Sequence, residues 1–244
     1  MVSVWGLTDR GIARRENQDA FATGARDGQY AWAVVCDGMG GANAGDLASA
    51  MAVDRFQNHM VCLDEPGEYQ EEGELLVQAA QAANRAVYLK AGTNRAYAGM
   101  GTTLVGALIQ ENTLWVVNVG DSRAYYITGQ AIQQITQDHS VVGDMVRKGD
   151  LTPEQARQHP QKNLITRALG TTRQVKVDLF QRTVKAGDAV LLCSDGLVNE
   201  VTDQQIHQEL LAGGTAEEIC RRLLDRTLAE GAPDNVTIVL FEVK

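Results

Sequence analysis

The sequence predicts an α+β fold in which antiparallel β-sheets are covered by pairs of helices. Three observations indicate this class. Short runs rich in β-branched and aromatic residues recur along the chain, and Gly, Asp or Asn residues bound them. Two pairs of neighbouring runs are joined by links of hairpin length, which is typical of antiparallel strands. Helix-like segments come in two pairs rather than after every strand, so a parallel sheet is not expected.

Seven apolar runs predict the strands. They occupy residues 30–36, 102–109, 114–119, 123–127, 176–183, 189–194 and 236–243. Glu111 and Asn112 are expected to turn the second run into the third. Residues 128–130 are expected to turn the chain from 123–127 into a further strand at 131–135. Residues 20–22 form a shorter strand-like run near the start of the chain.

Residues 45–60 and 74–90 form the first predicted helix pair, because their apolar residues recur near helical spacing. The second pair begins at Thr202 and Thr215. Each of these precedes a Gln or Glu by three positions and so begins a capping box. Thr152 begins a third capping box, with Pro153 in the first helical position. The acidic segment 62–73, which contains Pro66 and two glycines, predicts a surface loop between the first two helices.

Composition narrows the class of protein. A chain of 244 residues, 44% hydrophobic and 22% charged, suits one globular domain over 1–244. The formal net charge of −9 disfavours binding to nucleic acid or to an anionic membrane, because both need a basic surface. No apolar run is long enough to span a bilayer, and residues 1–15 lack the apolar stretch of a signal peptide. The four separated cysteines are therefore expected to be reduced thiols in a cytoplasmic protein.

Four aspartates stand at the ends of the most apolar runs. Asp37, Asp121 and Asp195 follow such runs with glycine beside them, and Asp234 immediately precedes the last run. In an antiparallel sheet the end of one strand lies beside the start of its neighbour, so the four carboxylates could meet at one edge. Clustered carboxylates need a positive counterpart, and Arg123 is the exceptional cation in these segments.

Mg²⁺ or Mn²⁺ would supply that positive charge. Carboxylate and water oxygens suit these hard cations, and no His and Cys cluster favours zinc. Two cations bridged by a carboxylate are a known arrangement for attack on phosphate. The alternative is that each Asp-Gly pair only marks a turn, since Asp and Gly are frequent in turns.

Two further segments carry chemistry. Residues 37–45 are rich in glycine but lack the Gly-Lys-Ser/Thr of a P-loop, and Asn43 stands where a dinucleotide loop needs glycine. Their glycines either let the backbone approach a ligand or metal, or form a plain loop into the helix. In the polar segment 14–19, Arg14 could bind a phosphate and Asp19 could lie near a metal. The alternative is a solvated run of charges.

Covalent catalysis has little support in the sequence. No serine lies in a Gly-x-Ser-x-Gly segment. The four histidines, His59, His139, His159 and His207, have neither metal-ligand spacing nor a Ser or Cys partner pattern. They are expected to be surface or loop residues.

Seven motifs in order resemble those of the metal-dependent protein phosphatases of the type 2C serine/threonine family, in its compact bacterial form. The motifs span essentially the whole chain. They are RRENQD at 14–19, DGMGG at 37–41, GTT at 101–103, VGDSR at 119–123, DHS at 138–140, SDGL at 194–197 and DNVT at 234–237.

The resemblance implies a four-layer αββα sandwich, with two antiparallel β-sheets flanked by helix pairs, in a single phosphatase domain. A small flap insert at about 139–170 would lie beside the active site. The implied reaction is hydrolysis of phosphoserine and phosphothreonine in proteins by a water or hydroxide that bridges two metal ions. The expected partners are phosphorylated proteins, with a cognate bacterial Ser/Thr kinase and its targets, and the expected state is a monomer.

The resemblance also implies a site with two to three Mn²⁺ or Mg²⁺ ions. Carried over by position, Asp37 would bridge the two main metals. The Gly38 carbonyl would complete the shell of the second metal. Asp195 and Asp234 would hold the first. Asp121, together with Asp195, would hold the third ion found in many bacterial members.

Three other positions have implied roles. Asp19 would orient metal-bound water from behind the ligands, and Arg14 would bind the substrate phosphate. Met39 stands where many eukaryotic relatives carry a histidine that is proposed as general acid, and bacterial members commonly have Met there. A water on the metals is then expected to act as the acid.

Three alternatives remain at this point. A catalytically inactive relative could bind phosphoproteins without turning them over, although it would have no need to keep Asp37, Asp195 and Asp234 together. An acidic structural protein could carry the Asp-Gly pairs as turns. A nuclease built on two metals is disfavoured by the net charge of −9.

Overall fold

Two antiparallel sheets form the centre of the computed structural model, which describes residues 1–26, 29–39, 44–61 and 72–244. The first sheet contains, in spatial order, β1 (Val2–Asp9), β11 (Val236–Val243), β10 (Ala189–Cys193), β7 (Arg123–Ile127) and β8 (Ile132–Gln134). The second contains β2 (Asp19–Arg26), β3 (Tyr30–Met39), β5 (Leu104–Gln110), β6 (Thr113–Val119) and β9 (Asp178–Thr183), with the short β4 (Gly101–Thr102) paired to β3. All of these neighbours pair antiparallel.

Helices cover the outer face of each sheet. The second sheet packs against α1 (Gly45–Met60) and α2 (Glu72–Ala91). The first sheet packs against α5 (Asp195–Val198), α6 (Asp203–Leu211) and α7 (Ala216–Ala229). Between β8 and β9 the chain forms α3 (Val141–Lys148) and α4 (Pro153–Arg157), and a 3₁₀ turn occupies Arg95–Tyr97. Within the described ranges, no helix is long and apolar enough to cross a bilayer.

Alternation along β3 shows how the layers are built. Side chains of a strand point to opposite faces in turn. Trp32, Val34 and Cys36 pack beneath α1 and α2. Ala33 and Val35 lie in a separate apolar layer, between the sheets, together with residues of β10 and β11. Because both faces of the strand are buried from residue 31 to residue 36, its sequence is apolar over that range, and the predicted αββα sandwich is confirmed.

Hydrogen bonds at three helix starts confirm the predicted capping boxes. Thr152, Thr202 and Thr215 each accept a hydrogen bond from the backbone N–H three residues later, and the side chain at that later position accepts from the threonine N–H. These bonds satisfy backbone donors that a helix start leaves free. They are local, and this is why the sequence alone locates them.

Some elements differ from the predictions. Strand β1 was not predicted, because Gly6 interrupts its apolar residues; tertiary pairing with β11 along its whole length makes it a strand. Helices α3 and α5 were also not predicted, since each is short. Helix α2 begins at Glu72, which lies in the segment predicted as a loop, while the rest of that segment up to residue 71 lies outside the described residues.

Candidate metal and phosphate site

The four predicted aspartates line one cleft of about 700 Å³, together with Arg14 and Gly38. They do not come from the edge of a single sheet, as the sequence suggested. Asp37 and Asp121 belong to the second sheet and the turn after it, whereas Asp195 and Asp234 flank β10 and β11 of the first. The two sheets end at the same level, so that strand ends from both meet at the cleft.

Asp37 lies inside β3 rather than after it, and its backbone is held on both sides. Its N–H donates to Thr103 Oγ1 at 2.9 Å. Its carbonyl oxygen accepts from Thr102 Oγ1 at 2.9 Å and from the Thr103 N–H at 2.8 Å. The motif at 101–103 therefore positions the central carboxylate, a role that the sequence did not assign to it.

Gly38 has no room for a side chain. A Cβ at this position would lie 2.0 Å from the backbone oxygen of Gly45 and 2.7 Å from that of Gln18. The Gly38 N–H donates to the same Gln18 oxygen at 3.0 Å. Close approach of three backbone segments thus requires glycine here. Residues 40 and 41 of the glycine motif lie outside the described residues.

Asp121 follows a turn at Gly120, and the hydroxyl of Thr103 connects this region to the backbone of Asp37. Gly120 has φ of +114°, and a Cβ there would lie 2.6 Å from the Thr103 side chain. Thr103 Oγ1 lies 2.7 Å from Ser122 Oγ. The same oxygen accepts the Asp37 N–H, and either hydroxyl can be the donor between Thr103 and Ser122. Thr103 therefore connects the backbone segments that carry the two carboxylates of the second sheet.

Asp195 begins α5 with its carboxyl only partly satisfied. Oδ2 accepts from Asn199 Nδ2 at 3.0 Å, whereas Oδ1 is buried and has no hydrogen-bond partner among the described residues. Its charge also raises the pKa of Asp37, which lines the same cleft. Such a pair needs either a proton or a cation between its oxygens.

Asp234 is paired with Arg14 at the mouth of the cleft. Arg14 Nη2 donates to Asp234 Oδ2 at 2.8 Å, and Asp234 Oδ1 accepts the Asn235 N–H at 2.9 Å. The Asn235 side chain accepts from the Gln18 N–H and donates to the carbonyls of Arg10 and Glu16. Asn235 therefore fixes the segment that carries Arg14. The sequence included it in a motif without giving it this role.

Asp19 is buried behind the cleft and does not line it. Its Oδ2 accepts from Ser194 Oγ and from Thr237 Oγ1, each at 2.7 Å. Its Oδ1 has no partner among the described residues. The side chain thus connects the second sheet to two residues of the first, beneath the carboxylates that line the cleft.

Electrostatics at the cleft favour a bound cation. Burial raises the pKa values of Asp37, Asp121 and Asp195, and repulsion from neighbouring carboxylates raises them further. Burial also raises the pKa of Asp19 to about 7, and Asp195 and Asp234 add to the shift. Arg123 offsets only part of this shift at Asp121 and Asp195, and its guanidinium donates three hydrogen bonds to Asp138.

The donor set fits hard divalent cations. It consists of the carboxylate oxygens that line the cleft and the backbone of Gly38 beside them, and one of these oxygens, Asp195 Oδ1, is buried without a partner among the described residues. No three His, Cys, Asp or Glu side chains within the described ranges already converge on a single ion position. Asp234 instead binds Arg14, whose pKa is raised chiefly by that hydrogen bond. The assignment of individual ligands stays a prediction.

One histidine has an environment that the sequence did not indicate. His139 was expected at the surface or in a loop; it lies in the loop between β8 and α3, where its ring is buried, with 4% of the residue exposed. The segment 139–170 that follows contains α3 and α4, and Asn163 and Ile165 bring it to the cleft. The burial of His139 could not be expected from the sequence, because a polar residue beside a helix cap such as Ser140 is commonly exposed.

Comparison with known proteins agrees with this site. The sequence profile of the family described as protein phosphatase 2C matches residues 12–232. The chain is 36% identical over 240 residues to the serine/threonine phosphatase stp of Listeria innocua, covering 96% of this chain and 93% of that protein.

Two solved structures are similar over the whole chain. One is the serine/threonine phosphatase Stp1 from Staphylococcus aureus, with a TM-score of 0.92, 38% identity and coverage of 100% of this chain and 96% of that one. The other is the catalytic domain of the serine/threonine protein phosphatase PstP in complex with two manganese ions. It has a TM-score of 0.86 and 35% identity, and the match covers 100% of this chain and 99% of that one.

Proposed function

This chain belongs to the protein phosphatase 2C family, and from that membership we propose how its cleft performs the reaction. The protein is a metal-dependent serine/threonine phosphatase that acts on phosphorylated proteins, with Mn²⁺ or Mg²⁺ as cofactor. The observation that carries the site assignment is the convergence of four aspartates and Arg14 on one cleft, with a buried Asp195 oxygen left without a partner.

We assign the ligands by position in the cleft. Asp37, the Gly38 carbonyl, Asp195 and Asp234 would hold two cations, and Asp121 with Asp195 would hold a third. Bound cations of this kind make hydroxide available from water near neutral pH and neutralise charge on phosphoryl oxygens. The repulsion between Asp37 and Asp195 in one cleft supports a shared position, because neighbouring carboxylates need a positive charge between them.

Arg14 would bind the substrate phosphate. Its side chain is 53% exposed at the mouth of the cleft, where a phosphorylated side chain can reach it. A guanidinium can donate to two phosphate oxygens at once. Arg14 pairs with Asp234 in this structure, and the guanidinium becomes available to phosphate when Asp234 serves as a cation ligand.

Asp19 and Met39 complete the reaction site. Asp19 lies behind the ligands with one free oxygen, which supports a role in orienting water. Met39 lines the cleft but has no proton to donate. We therefore propose that water, rather than a side chain, protonates the serine or threonine oxygen as it leaves.

Several wider features are proposals of the same kind. The chain would act as a single domain and as a monomer, since every proposed site residue comes from one chain. The segment 139–170 would act as a flap that influences substrate choice, since it borders the cleft through Asn163 and Ile165.

A cytoplasmic location is supported by the free thiols of Cys36, Cys193 and Cys220. The opposing enzyme would be a Ser/Thr kinase that shares its targets.

Hydrolysis of a phosphothreonine peptide, with Mn²⁺ and with chelator, tests the site assignment. Asp195→Asn should lower kcat by two orders of magnitude or more, roughly the effect of removing one preorganised electrostatic group. Asp225→Asn is the matched control, because Asp225 is exposed on α7 away from the cleft. Circular dichroism would show that both variants fold.

Three outcomes would contradict the proposal in different ways. Normal turnover by Asp195→Asn would mean that the ligand assignment is wrong. Turnover that survives the chelator would indicate a nucleophile independent of metal. Absence of turnover by the folded protein in both conditions would favour the inactive relative that only binds phosphoproteins.

A further inference from the structure

The ring of His139 lies between the turn that precedes Asp121 and strand β9. Its Nδ1 accepts the Gly120 N–H at 3.0 Å, and its Nε2 lies 3.0 Å from Asp178 Oδ2. A nitrogen that accepts an N–H carries no proton itself, so the proton of the neutral ring is on Nε2 and is donated to Asp178. Both ring nitrogens are therefore committed, with opposite roles.

His139 forms hydrogen bonds with both the N–H and the carbonyl of Gly120. Besides the ring contact to the Gly120 N–H, the His139 backbone N–H donates to the Gly120 carbonyl at 2.9 Å. Gly120 has φ of +114°, a conformation that is open to glycine but rarely to other residues. The next residue is Asp121, so the direction of that carboxylate depends on the conformation that His139 holds.

The other contacts of His139 lead to the base of the segment 139–170. Its carbonyl accepts the Thr166 N–H at 2.7 Å. Asp178, on the far side of the ring, accepts from Arg167 Nη1 at 2.8 Å. The adjacent Ser140 caps α3 by accepting the Gly143 N–H. One residue thus joins the Gly120 turn, strand β9 and both ends of the segment.

From these contacts we propose that His139 is a positioning residue, which holds the Gly120 turn so that Asp121 points into the cleft to bind a divalent cation. The inference rests on the proposed function, because the role of Asp121 as a cation ligand belongs to that proposal. It goes further by giving the motif DHS at 138–140 a role: through His139, the motif keeps the Asp121 carboxylate in position to bind the cation. It also predicts that cation binding at Asp121 depends on the hydrogen bond that Nδ1 accepts from Gly120, rather than on the one that Nε2 donates to Asp178.

Two polar substitutions of His139 distinguish the role of Nδ1 from that of Nε2. Asparagine places an amide oxygen on Cγ, where His139 carries Nδ1, so His139→Asn can still accept the Gly120 N–H. Glutamine places its amide one bond farther out, where Nε2 stands, so His139→Gln can still donate to Asp178 but leaves Gly120 without its acceptor. His207→Leu is the control, since its Nε2 contacts the Thr128 carbonyl, remote from the cleft.

Calorimetric titration of Mn²⁺ into metal-free protein tests the inference, and the Mn²⁺ dependence of phosphothreonine peptide hydrolysis is a second readout. Asp121→Asn identifies the Mn²⁺ site to which Asp121 contributes. His139→Gln should weaken that same site by about tenfold, the usual effect of losing a group that orients a metal ligand. His139→Asn and His207→Leu should bind Mn²⁺ as the unmodified protein does.

The outcomes separate this inference from the proposed function. If the unmodified protein binds no Mn²⁺, or Asp121→Asn changes no site, the proposed role of Asp121 fails and this inference fails with it. If Asp121→Asn loses a site that His139→Gln keeps, only the inference fails. Equal weakening by the Asn and Gln variants, with equal losses of Tm, would show a merely structural residue and would also overturn it.

Discussion

Asp19 lies directly opposite Asp37 in the register of β2 and β3. Like charges in opposed positions of an antiparallel pair destabilise it. The two carboxyls are nevertheless held differently. Asp19 accepts two hydroxyl hydrogen bonds from the first sheet, whereas Asp37 is at the cleft beside Asp195. The pair therefore combines a structural carboxyl, which joins the sheets, with one that is available to a cation.

Ser194→Ala should destabilise the fold at this junction. Ser194 is fully buried; its hydroxyl donates to Asp19 and accepts the Thr237 N–H at 2.9 Å. The variant leaves the Thr237 N–H without its acceptor and Asp19 Oδ2 with Thr237 Oγ1 as its remaining donor, which costs about 2 kcal/mol in the free energy of unfolding. Urea unfolding in chelator measures this. The matched control is Ser3→Ala, whose hydroxyl donates to Glu242 in a less buried position, and an equal loss in both variants would contradict the prediction.

Gly38→Ala should disturb the cleft, since the new Cβ would lie 2.0 Å from the Gly45 oxygen at the start of α1. Relief of this overlap requires the backbone to move, at a cost of about 1–3 kcal/mol. A decrease in Tm and weaker Mn²⁺-dependent turnover are expected. Gly129→Ala is the control, because no atom of the described residues lies within 4 Å of the added Cβ. If both variants behave alike, the close approach at Gly38 is not important.

The Tm gain produced by Mn²⁺ should grow as the pH rises from 5 to 8. Burial and repulsion raise the folded-state pKa values of Asp37, Asp121 and Asp195, and that of Asp19 to about 7, above the value near 4 in an unfolded chain. At a pH between the unfolded-state and the folded-state pKa values, the metal-free folded protein binds more protons than the unfolded chain. Its stability is therefore full below the unfolded pKa and is lost as the pH rises through the folded pKa values.

Thermal unfolding in chelator and in MnCl₂ across this pH range checks that prediction. Asp195→Asn removes one of the repelling carboxylates, so the decrease of its Tm with pH in chelator should be shallower than that of the unmodified protein. A gain from Mn²⁺ that stays constant with pH, or that falls, would show that the carboxylates do not carry the effect.

Much of the site could be predicted from the sequence because its signals are local. The aspartates stand directly beside apolar runs, and the capping threonines lie three residues from their partners. The burial of His139 had no such signal. Its ring partners, Gly120 and Asp178, lie 19 and 39 residues away in sequence, and they meet it only once β9 pairs with β6.

By itself the sequence determined most of the strands and helices, though not β1, α3 or α5, and it singled out the carboxylates that we propose as cation ligands. Periodicity and capping act over a few residues, so they need no tertiary contact. Only the tertiary structure decided that the carboxylates come from two sheets, and that Asp19 is fastened to Ser194, 175 residues away. Contacts at that separation depend on how the two sheets stack, because neither strand alone fixes which residue of the other sheet it will face.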